Sequence, residues 1–307
     1  MSKIYGSVQE LIGNTPLVRL ATFSAETGTT LLAKLEGFNP AGSAKDRVAK
    51  AIVDAAEQSG KLQKGGTVVE ATSGNTGIGL ALVARARGYK AVIVMPETMS
   101  VERQKLIRAY GAEVVLTAGK KGMAGAVEKA EEIVKNTPNS IMAGQFVNPA
   151  NVKAHYETTA REIWEDTCGK VDIFVAGVGT GGTLTGVGRY LKEQKPSVRV
   201  VAVEPQKSPL LSAGTAGAHG IQGIGANFVP AILDRNIYDE IITVSDEAAF
   251  ETGRLLCKTE GIFAGISSGA ALCGAIELAH RKENTGKTIV VLLPDEGGRY
   301  LSTPLFE

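Results

Sequence analysis

The sequence predicts an α/β protein with two domains, each an open, mostly parallel sheet flanked by helices. Short runs rich in Val, Ile and Leu alternate with longer amphipathic stretches along the chain, the order expected of βα units joined by right-handed crossovers. Several runs are apolar at every position, as in parallel strands buried on both faces. The 307 residues suffice for two domains, and a turn-rich break at 136–150 separates two series of βα units.

Each element is predicted from its length and from the spacing of its apolar residues. The strands, which are short and β-branched, are 31–35 (LLAKL), 67–70 (TVVE), 90–95 (KAVIVM), 113–117 (EVVLT), 171–176 (VDIFVA), 198–204 (VRVVAVE), 240–244 and 287–293 (KTIVVLL). The helices, which are longer and amphipathic, are 46–58, 75–87, 100–110, 122–135, 149–166, 183–193, 245–258 and 268–281. The stretch 206–238 lacks periodicity but stays rich in apolar residues, so it is predicted to be a long functional loop.

Composition limits the class of protein. Apolar residues make up 44% of the chain, charged residues 21%, and the net charge is +1, so nothing indicates a nucleic-acid or anionic-membrane partner. No signal peptide and no apolar run near the ~20 residues of a membrane span is found. Three cysteines without a CxxC pair favour a reducing cytoplasm, and the three scattered histidines give no reason to predict a metal site.

Three polar or glycine-rich segments each follow a predicted strand. They are ATSGNTGIG at 71–79, GVGTGGTLTG at 177–186 and PDEGGRY at 294–300. Ligands of open parallel sheets bind at the carboxyl ends of the strands, so we expect the three loops to converge on one crevice.

The second of these segments is typical of an anion site. Its backbone N–H groups, at the start of a helix, would hold one phosphate. The residues concerned are Gly179, Thr180, Gly181, Gly182 and Thr183. A plain tight turn is the simpler alternative.

The same segment also fits a dinucleotide-binding fingerprint. Gly177, Gly179 and Gly182 satisfy G-x-G-x-x-G, and Glu204 ends the next strand about 20 residues later, where such folds place the acid that binds ribose. A nicotinamide-dependent dehydrogenase is therefore the competing interpretation. It leaves Lys45, Asn75 and Ser267 without a role.

The segment at 71–79 puts hydroxyl and amide groups at a helix start, where N–H groups and the positive end of the dipole would bind a substrate carboxylate. The groups belong to Thr72, Ser73, Asn75 and Thr76. Helix capping by Thr72 or Ser73 is the simpler alternative.

Two further residues are candidates for chemistry. Lys45 opens a helix after a Pro-Ala-Gly-Ser turn, where the dipole and desolvation would favour a neutral, nucleophilic amine; a solvated lysine beside Asp46 is the alternative. Ser267 could cap the helix predicted after it or hydrogen-bond a heterocycle nitrogen, and its own context leaves both open.

Taken together, these segments resemble the cysteine synthases (O-acetylserine sulfhydrylases), β-family pyridoxal-phosphate enzymes with the tryptophan-synthase-like fold. The resemblance runs almost end to end. It includes IGNTPLVRL at 12–20, KLEGFNPAGSAKDR at 34–47, ATSGNTGIGLA at 71–81, MPETMSVERQKLIRAYGAEVVLT at 95–117, NPANVKAHYETTAREIW at 148–164, GVGTGGTLTGVGRYLK at 177–192, IQGIGA at 221–226 and GISSGAA at 265–271.

The resemblance implies the fold of type II pyridoxal-phosphate enzymes, with the cofactor in the cleft between two α/β domains. The smaller domain would be 36–148, and the larger would combine 1–35 with 149–307. The family is typically homodimeric, and its bacterial members can bind the C-terminal tail of serine acetyltransferase.

The resemblance also implies a reaction: synthesis of L-cysteine from O-acetyl-L-serine and sulfide by β-replacement through an aminoacrylate. Lys45 would form the Schiff base with pyridoxal 5′-phosphate, Asn75 would bond the ring's 3′-oxygen, Ser267 would lie at the pyridine nitrogen, and Gly179 to Thr183 would hold the phosphate. The groups that would bind the substrate carboxylate are Thr72, Ser73, Asn75, Thr76 and Gln145. Cystathionine β-synthase activity with homocysteine is the alternative within the same fold.

The sequence departs from the family pattern at a few positions. Ala44 precedes the lysine, Ala71 precedes TSGNTG, Asn227 stands where glycine is usual, and 295–298 differ from the usual sequence. None of these changes removes a group that carries a predicted role.

Overall fold

Residues 4–306, which the computed structural model describes, form ten strands and eleven α-helices. The strands are β1 Leu17–Arg19, β2 Thr30–Leu35, β3 Thr67–Ala71, β4 Lys90–Pro96, β5 Glu113–Thr117, β6 Ser140–Met142, β7 Ile173–Gly177, β8 Arg199–Pro205, β9 Glu240–Val244 and β10 Thr288–Leu293. The helices are α1 Ala21–Thr27, α2 Lys45–Gln58, α3 Asn75–Arg87, α4 Val101–Ala109, α5 Gly122–Asn136, α6 Ala150–Ala154, α7 Ala160–Asp166, α8 Gly182–Gln194, α9 Leu210–Ala213, α10 Asp246–Glu260 and α11 Ile266–Ala279. Within the described residues, no helix is both long and apolar enough to cross a membrane.

The chain divides into two compact units. The smaller unit comprises residues 4–12 and Asn39–Asn151, and the larger unit comprises Gly13–Phe38 and residues 152–306. The division differs from the predicted ranges at both internal boundaries, which lie at 39 and 151 instead of 36 and 148. It also differs at the N-terminus, because Gln9 accepts a hydrogen bond from Arg87 of α3 (Nε–Oε1 2.6 Å) and Ile12 packs on the core of the smaller unit. Residues 1–3 and 307 of the predicted ranges lie outside the described part.

Each unit contains one sheet, and both sheets are mostly parallel, as the sequence predicts. The smaller unit has four parallel strands in the order β5-β4-β3-β6. The larger unit has six strands in the order β1-β2-β10-β7-β8-β9, of which β1 alone runs antiparallel to its neighbour. The non-sequential order requires crossover connections, which the helices supply.

The continuously apolar strands bury both faces. In β7, Ile173 and Val175 belong to one apolar cluster of the larger unit, while Phe174 and Ala176 belong to another. Since successive side chains of a strand point to opposite faces, each cluster occupies one side of the sheet. The apolar pattern that predicts a parallel sheet is thus explained by helices on both of its sides.

The structure adds elements that the sequence analysis did not predict. Strands β1 and β6 and helix α1 are short, with three, three and seven residues, and β6 lies inside the stretch predicted to be a break. The helix predicted over 149–166 contains a π-helical segment, His155–Thr159, between α6 and α7. Short elements have too few residues for the periodic spacing of apolar side chains to be recognised in the sequence.

Asn227 has a positive φ of 62°, a conformation that glycine adopts readily and that asparagine tolerates. Its Oδ1 accepts a hydrogen bond from Ser208 (2.8 Å). We expect Asn227→Ala to lower the free energy of unfolding by about 1 kcal/mol more than Asn227→Gly, since both lose this bond but only alanine is strained at positive φ. Denaturant unfolding of the two variants measures the difference; equal stabilities would contradict it.

Candidate active site

Lys45 is the first residue of α2, as the sequence predicts, and the turn before it is held by hydrogen bonds. The fully buried carboxylate of Asp46 accepts from the Ala41 N–H (2.6 Å), and the Ser43 hydroxyl accepts from the Lys45 N–H (3.2 Å). A Cβ added at Gly79 of α3 would lie 3.0 Å from the Lys45 carbonyl oxygen, so glycine there lets α3 pack closely on α2. The backbone of Lys45 is therefore fixed on two sides, while its side chain stays partly exposed.

The polar segment after β3 forms the start of α3. Asn75 is the first residue of that helix, and Gly74 is its N-cap without a side-chain capping bond. Capping by Thr72 or Ser73 is therefore the wrong explanation for these hydroxyls; Thr72 instead accepts a bond from the Gly74 N–H (3.1 Å).

The structure brings Gln145 to this helix start, although it lies about seventy residues away in sequence. Its Oε1 accepts a hydrogen bond from the Thr76 hydroxyl (2.5 Å), and the side chains of both residues are buried. The smaller unit therefore joins these two predicted carboxylate-binding residues into one polar cluster at the N-terminus of α3.

Glu70 is a buried acid in this region that the sequence analysis did not single out. It is 3% exposed and accepts hydrogen bonds from the N–H groups of Gly144 (2.7 Å) and Gln145 (3.3 Å). Burial raises its pKa from the ordinary 4.5 to about 7, because the loss of hydration outweighs the stabilisation that these donors give to the charged form. A lone glutamate at the end of a strand gives no sequence signal of this position.

The raised pKa of Glu70 predicts a pH dependence of stability. The folded protein keeps a proton that the unfolded chain releases above its ordinary pKa, so this contribution is present below pH 4.5 and is lost as the pH rises through about 7. The glutamine of Glu70→Gln does not titrate. Between about pH 5 and pH 8, we therefore expect the free energy of unfolding of this variant to fall by up to about 3 kcal/mol less than that of the wild type. Denaturant unfolding across pH measures this, with the exposed Glu131→Gln of α5 as the control; parallel profiles for wild type and Glu70→Gln would contradict it.

In the larger unit, the glycine-rich segment after β7 forms the start of α8. Gly181 is the N-cap of that helix with φ +80°, and Thr180 Oγ1 accepts from the Gly182 N–H (3.3 Å). A Cβ at Gly179 would lie 2.4 Å from the Gly223 carbonyl oxygen, so a side chain there would force one of the two loops to move. Glycine-rich backbone at a helix N-terminus is typical of anion sites.

His155 is a second residue that the sequence analysis did not connect with the site. It is 1% exposed, its Nε2 lies 3.1 Å from the Thr183 hydroxyl, and its Nδ1 lies 3.0 Å from Thr159 Oγ1. His155 is the first residue of the π-helical segment, and π-helical segments often occur at functional sites. A Cβ at Gly186 would lie 2.4 Å from the Val152 carbonyl oxygen, so this glycine permits the close packing of α8 on His155.

Ser267 lies in the first turn of α11 and is 2% exposed, but it does not cap the helix, whose N-cap is Gly265. A Cβ at Gly223, which has φ +102°, would lie 3.1 Å from Ser267 Oγ. Gly223 therefore meets both Gly179 and Ser267, and the larger unit brings the predicted phosphate loop and Ser267 to one place.

The segment at 294–300 also follows a strand of the larger unit, and its carboxylates are engaged in local bonds. Asp295 accepts a bond from the Tyr300 hydroxyl (2.5 Å). Glu296 accepts from the N–H of Gly298 and pairs with Arg299 (2.9 Å). These contacts fix the 3₁₀ turn Gly297–Tyr300.

Glu204 is not placed as the ribose-binding acid that a dinucleotide site requires. Its carboxylate accepts bonds from the N–H groups of Leu211 (2.8 Å) and Ser212 (3.0 Å) and from the Ser212 hydroxyl (2.5 Å). These bonds secure the start of α9 and use both carboxylate oxygens. The fingerprint of Gly177, Gly179 and Gly182 therefore lacks its ribose-binding partner.

Comparison with known proteins gives similarities that span nearly the whole chain. Residues 8–295 match the family model described as pyridoxal-phosphate dependent enzyme. The chain is 51% identical over 301 residues to a cysteine synthase of Staphylococcus aureus. The matched region covers 98% of this chain and 96% of that protein.

Solved structures show the same similarity in three dimensions. A cysteine synthase (OASS) from Entamoeba histolytica has a TM-score of 0.96 and 48% identity, covering 99% of this chain and 91% of that one. An O-ureido-L-serine synthase has a TM-score of 0.95 and 49% identity, covering 99% and 95%. Enzymes with differently named products therefore share this fold at similar identity.

Proposed function

The chain belongs to the family of pyridoxal-phosphate-dependent enzymes, and from that premise we propose that it makes L-cysteine from O-acetyl-L-serine and sulfide by β-replacement. The observation that carries this proposal is the 51% identity to a cysteine synthase across 98% of the chain. The reaction is a transferase reaction in which a sulfur nucleophile replaces acetate on Cβ.

The residues present fit pyridoxal phosphate. The smaller unit supplies an amine, at Lys45, on a fixed helix start, and amines of this kind bond covalently to the cofactor's aldehyde. The larger unit supplies an anion cradle at Gly179 to Thr183, where a Cβ at Gly179 would lie 2.4 Å from a backbone oxygen. Asn75 would bond the ring's 3′-oxygen, and the buried Ser267 hydroxyl would bond the ring nitrogen.

The bound cofactor supplies an electron sink for charge that develops at Cα. Lys45 Nζ would hold the cofactor covalently, and as a free amine it would move the Cα proton as a general base. Ser267 offers the ring nitrogen a neutral hydroxyl, which stabilises a protonated ring less than a carboxylate would. That choice favours elimination of the leaving group over transamination.

Side chains at the start of α3 orient the substrate. Thr72, Ser73, Asn75, Thr76 and Gln145 bind its carboxylate, helped by the N–H groups and dipole of the helix terminus. A fixed carboxylate aligns the Cα–H bond with the base. The bond between Thr76 and Gln145 supports this role, since it holds two of these groups together before substrate arrives.

We further propose a cytoplasmic homodimer that binds the C-terminal tail of serine acetyltransferase. The family resemblance supports the dimer and the tail. The three cysteines, which are all free in the structure, support a reducing compartment.

Steady-state rates with sulfide and with homocysteine, at fixed O-acetylserine, test the proposed reaction. We expect sulfide to give cysteine with the higher kcat/KM. Faster formation of cystathionine would instead favour the alternative activity, and a protein that binds NADH and lacks the visible absorbance of a Schiff base would contradict the family mechanism. Product analysis should also include O-ureido-L-serine, because a synthase of that compound is 49% identical to this chain.

A further inference from the structure

Glu70 continues the hydrogen bonding of the sheet beyond the point where its strands end. Strand β3 pairs with β6, and the last backbone bond of that ladder runs from the Ala143 N–H to the Val69 carbonyl (2.9 Å). The next two N–H groups, of Gly144 and Gln145, are taken by the two carboxylate oxygens of Glu70, at 2.7 and 3.3 Å. One side chain therefore anchors the backbone that follows β6.

The anchored turn leads directly to the predicted carboxylate-binding cluster. Gly144 has φ +65°, and the Gln145 carbonyl accepts a bond from Asn151 Nδ2 (2.9 Å). The Gln145 side chain, 5% exposed, accepts the Thr76 hydroxyl bond at 2.5 Å. A continuous path of hydrogen bonds thus connects Glu70 with the N-terminus of α3.

We propose that Glu70 is a positioning residue whose carboxylate holds the Gly144–Gln145 backbone, so that Gln145 and Thr76 present a pre-formed site for the α-carboxylate of an amino-acid substrate. This inference rests on the proposed function of the same site and deepens it. Glu70 acts through Gln145 and does not itself touch the substrate.

A carboxylate suits this position better than other side chains would. Two successive N–H donors require two acceptor atoms, and a glutamine side chain has only one oxygen, so its NH₂ group would face one of the donors. A buried acid bonded by neutral groups is costly to the fold, but an apolar side chain at this position would leave the N–H groups of Gly144 and Gln145 without an acceptor. The free-energy cost of burying this acid is explained if the turn at Gly144 and Gln145 must be held in one conformation.

Binding of two ligands that differ only in the carboxylate tests the proposal. L-alanine has no leaving group on Cβ, and ethylamine lacks the carboxylate. We expect Glu70→Gln in the holoenzyme to raise the Kd for L-alanine on the order of 10-fold and to leave the Kd for ethylamine unchanged, as measured by calorimetry. An unchanged Kd for L-alanine, or equal weakening of both ligands, would overturn the proposal.

A double-mutant cycle with Gln145 separates positioning from a general structural role. If Glu70 acts through Gln145, then Glu70→Gln should weaken L-alanine binding little in a Gln145→Ala background, whereas independent effects would add. Additive effects would refute the proposal. If Glu70→Gln fails to fold, Glu70→Asp serves in its place. The shorter acid cannot reach both N–H groups, so this variant should also weaken the binding of L-alanine and leave that of ethylamine unchanged.

The outcomes distinguish failure of this inference from failure of the proposed function. A wild-type holoenzyme that binds L-alanine no better than ethylamine would contradict the assigned carboxylate site itself. A wild type that prefers L-alanine, together with a Glu70→Gln variant that does so equally, would contradict only the role of Glu70.

Discussion

Lys45→Ala is expected to lower kcat/KM for cysteine formation by on the order of 10²–10⁴-fold, since it removes the amine proposed both to anchor the cofactor covalently and to act as the base for the Cα proton. The visible band of the purified protein should change, and borohydride reduction should no longer fix pyridoxal phosphate to the chain. Mass spectrometry after reduction measures the attachment directly. Intact sulfide-dependent activity in this variant would refute the mechanism.

Lys50→Ala provides a matched control on the same helix. Lys50 is 40% exposed in its side chain and pairs with Asp54 at 2.8 Å, and exposed pairs of this kind contribute about 0–1 kcal/mol. We expect this variant to keep the covalent attachment and an activity within about twofold of wild type. A loss as large as that of Lys45→Ala would show that the effect reflects damage to α2 rather than the missing amine.

Gly179→Ala is expected to weaken pyridoxal-phosphate binding by about 10-fold or more, because overpacking of this kind costs about 1–3 kcal/mol. The added Cβ would lie 2.4 Å from the Gly223 carbonyl oxygen, closer than atoms can approach, so the loop that starts α8 or the loop that contains Gly223 must shift. Either shift disturbs the backbone N–H groups proposed to hold the phosphate. Equilibrium titration of the apoenzyme with pyridoxal phosphate measures the change.

Gly220→Ala adds the same methyl group where there is room. The nearest atoms, of Asp246 and Phe250, would lie 3.4 Å from the new Cβ, and this variant should bind the cofactor nearly as wild type does. If Gly179→Ala binds equally well, the glycine-rich segment is a simple turn, as its alternative interpretation holds.

The regular elements of the fold were predictable because their causes are local. Continuous apolar runs such as that of β7 follow from burial on both faces, and helices such as α10 follow from the spacing of their buried residues and from a glycine at the C-terminal end. The π-helical segment was not predictable from local spacing; it lies where α8 packs closely, with Gly186 next to Val152 and His155. Short strands such as β6 likewise depend on a partner strand distant in sequence.

The candidate site shows the same division between local and distant causes. The sequence by itself determined that hydroxyls and amides follow β3, that glycines follow β7, and that the amine of Lys45 stands at the start of a helix. Only the tertiary structure decided that Glu204 secures α9 and that Ser267 does not cap α11. It also revealed Glu70 and His155, whose partners lie 75 and 28 residues away, because a hydrogen bond across that separation leaves no periodic signal in the sequence. Lys45 itself depends on both local and distant causes. Its position at a helix start has a local cause, but its fixed backbone depends on the packing of Gly79 from α3.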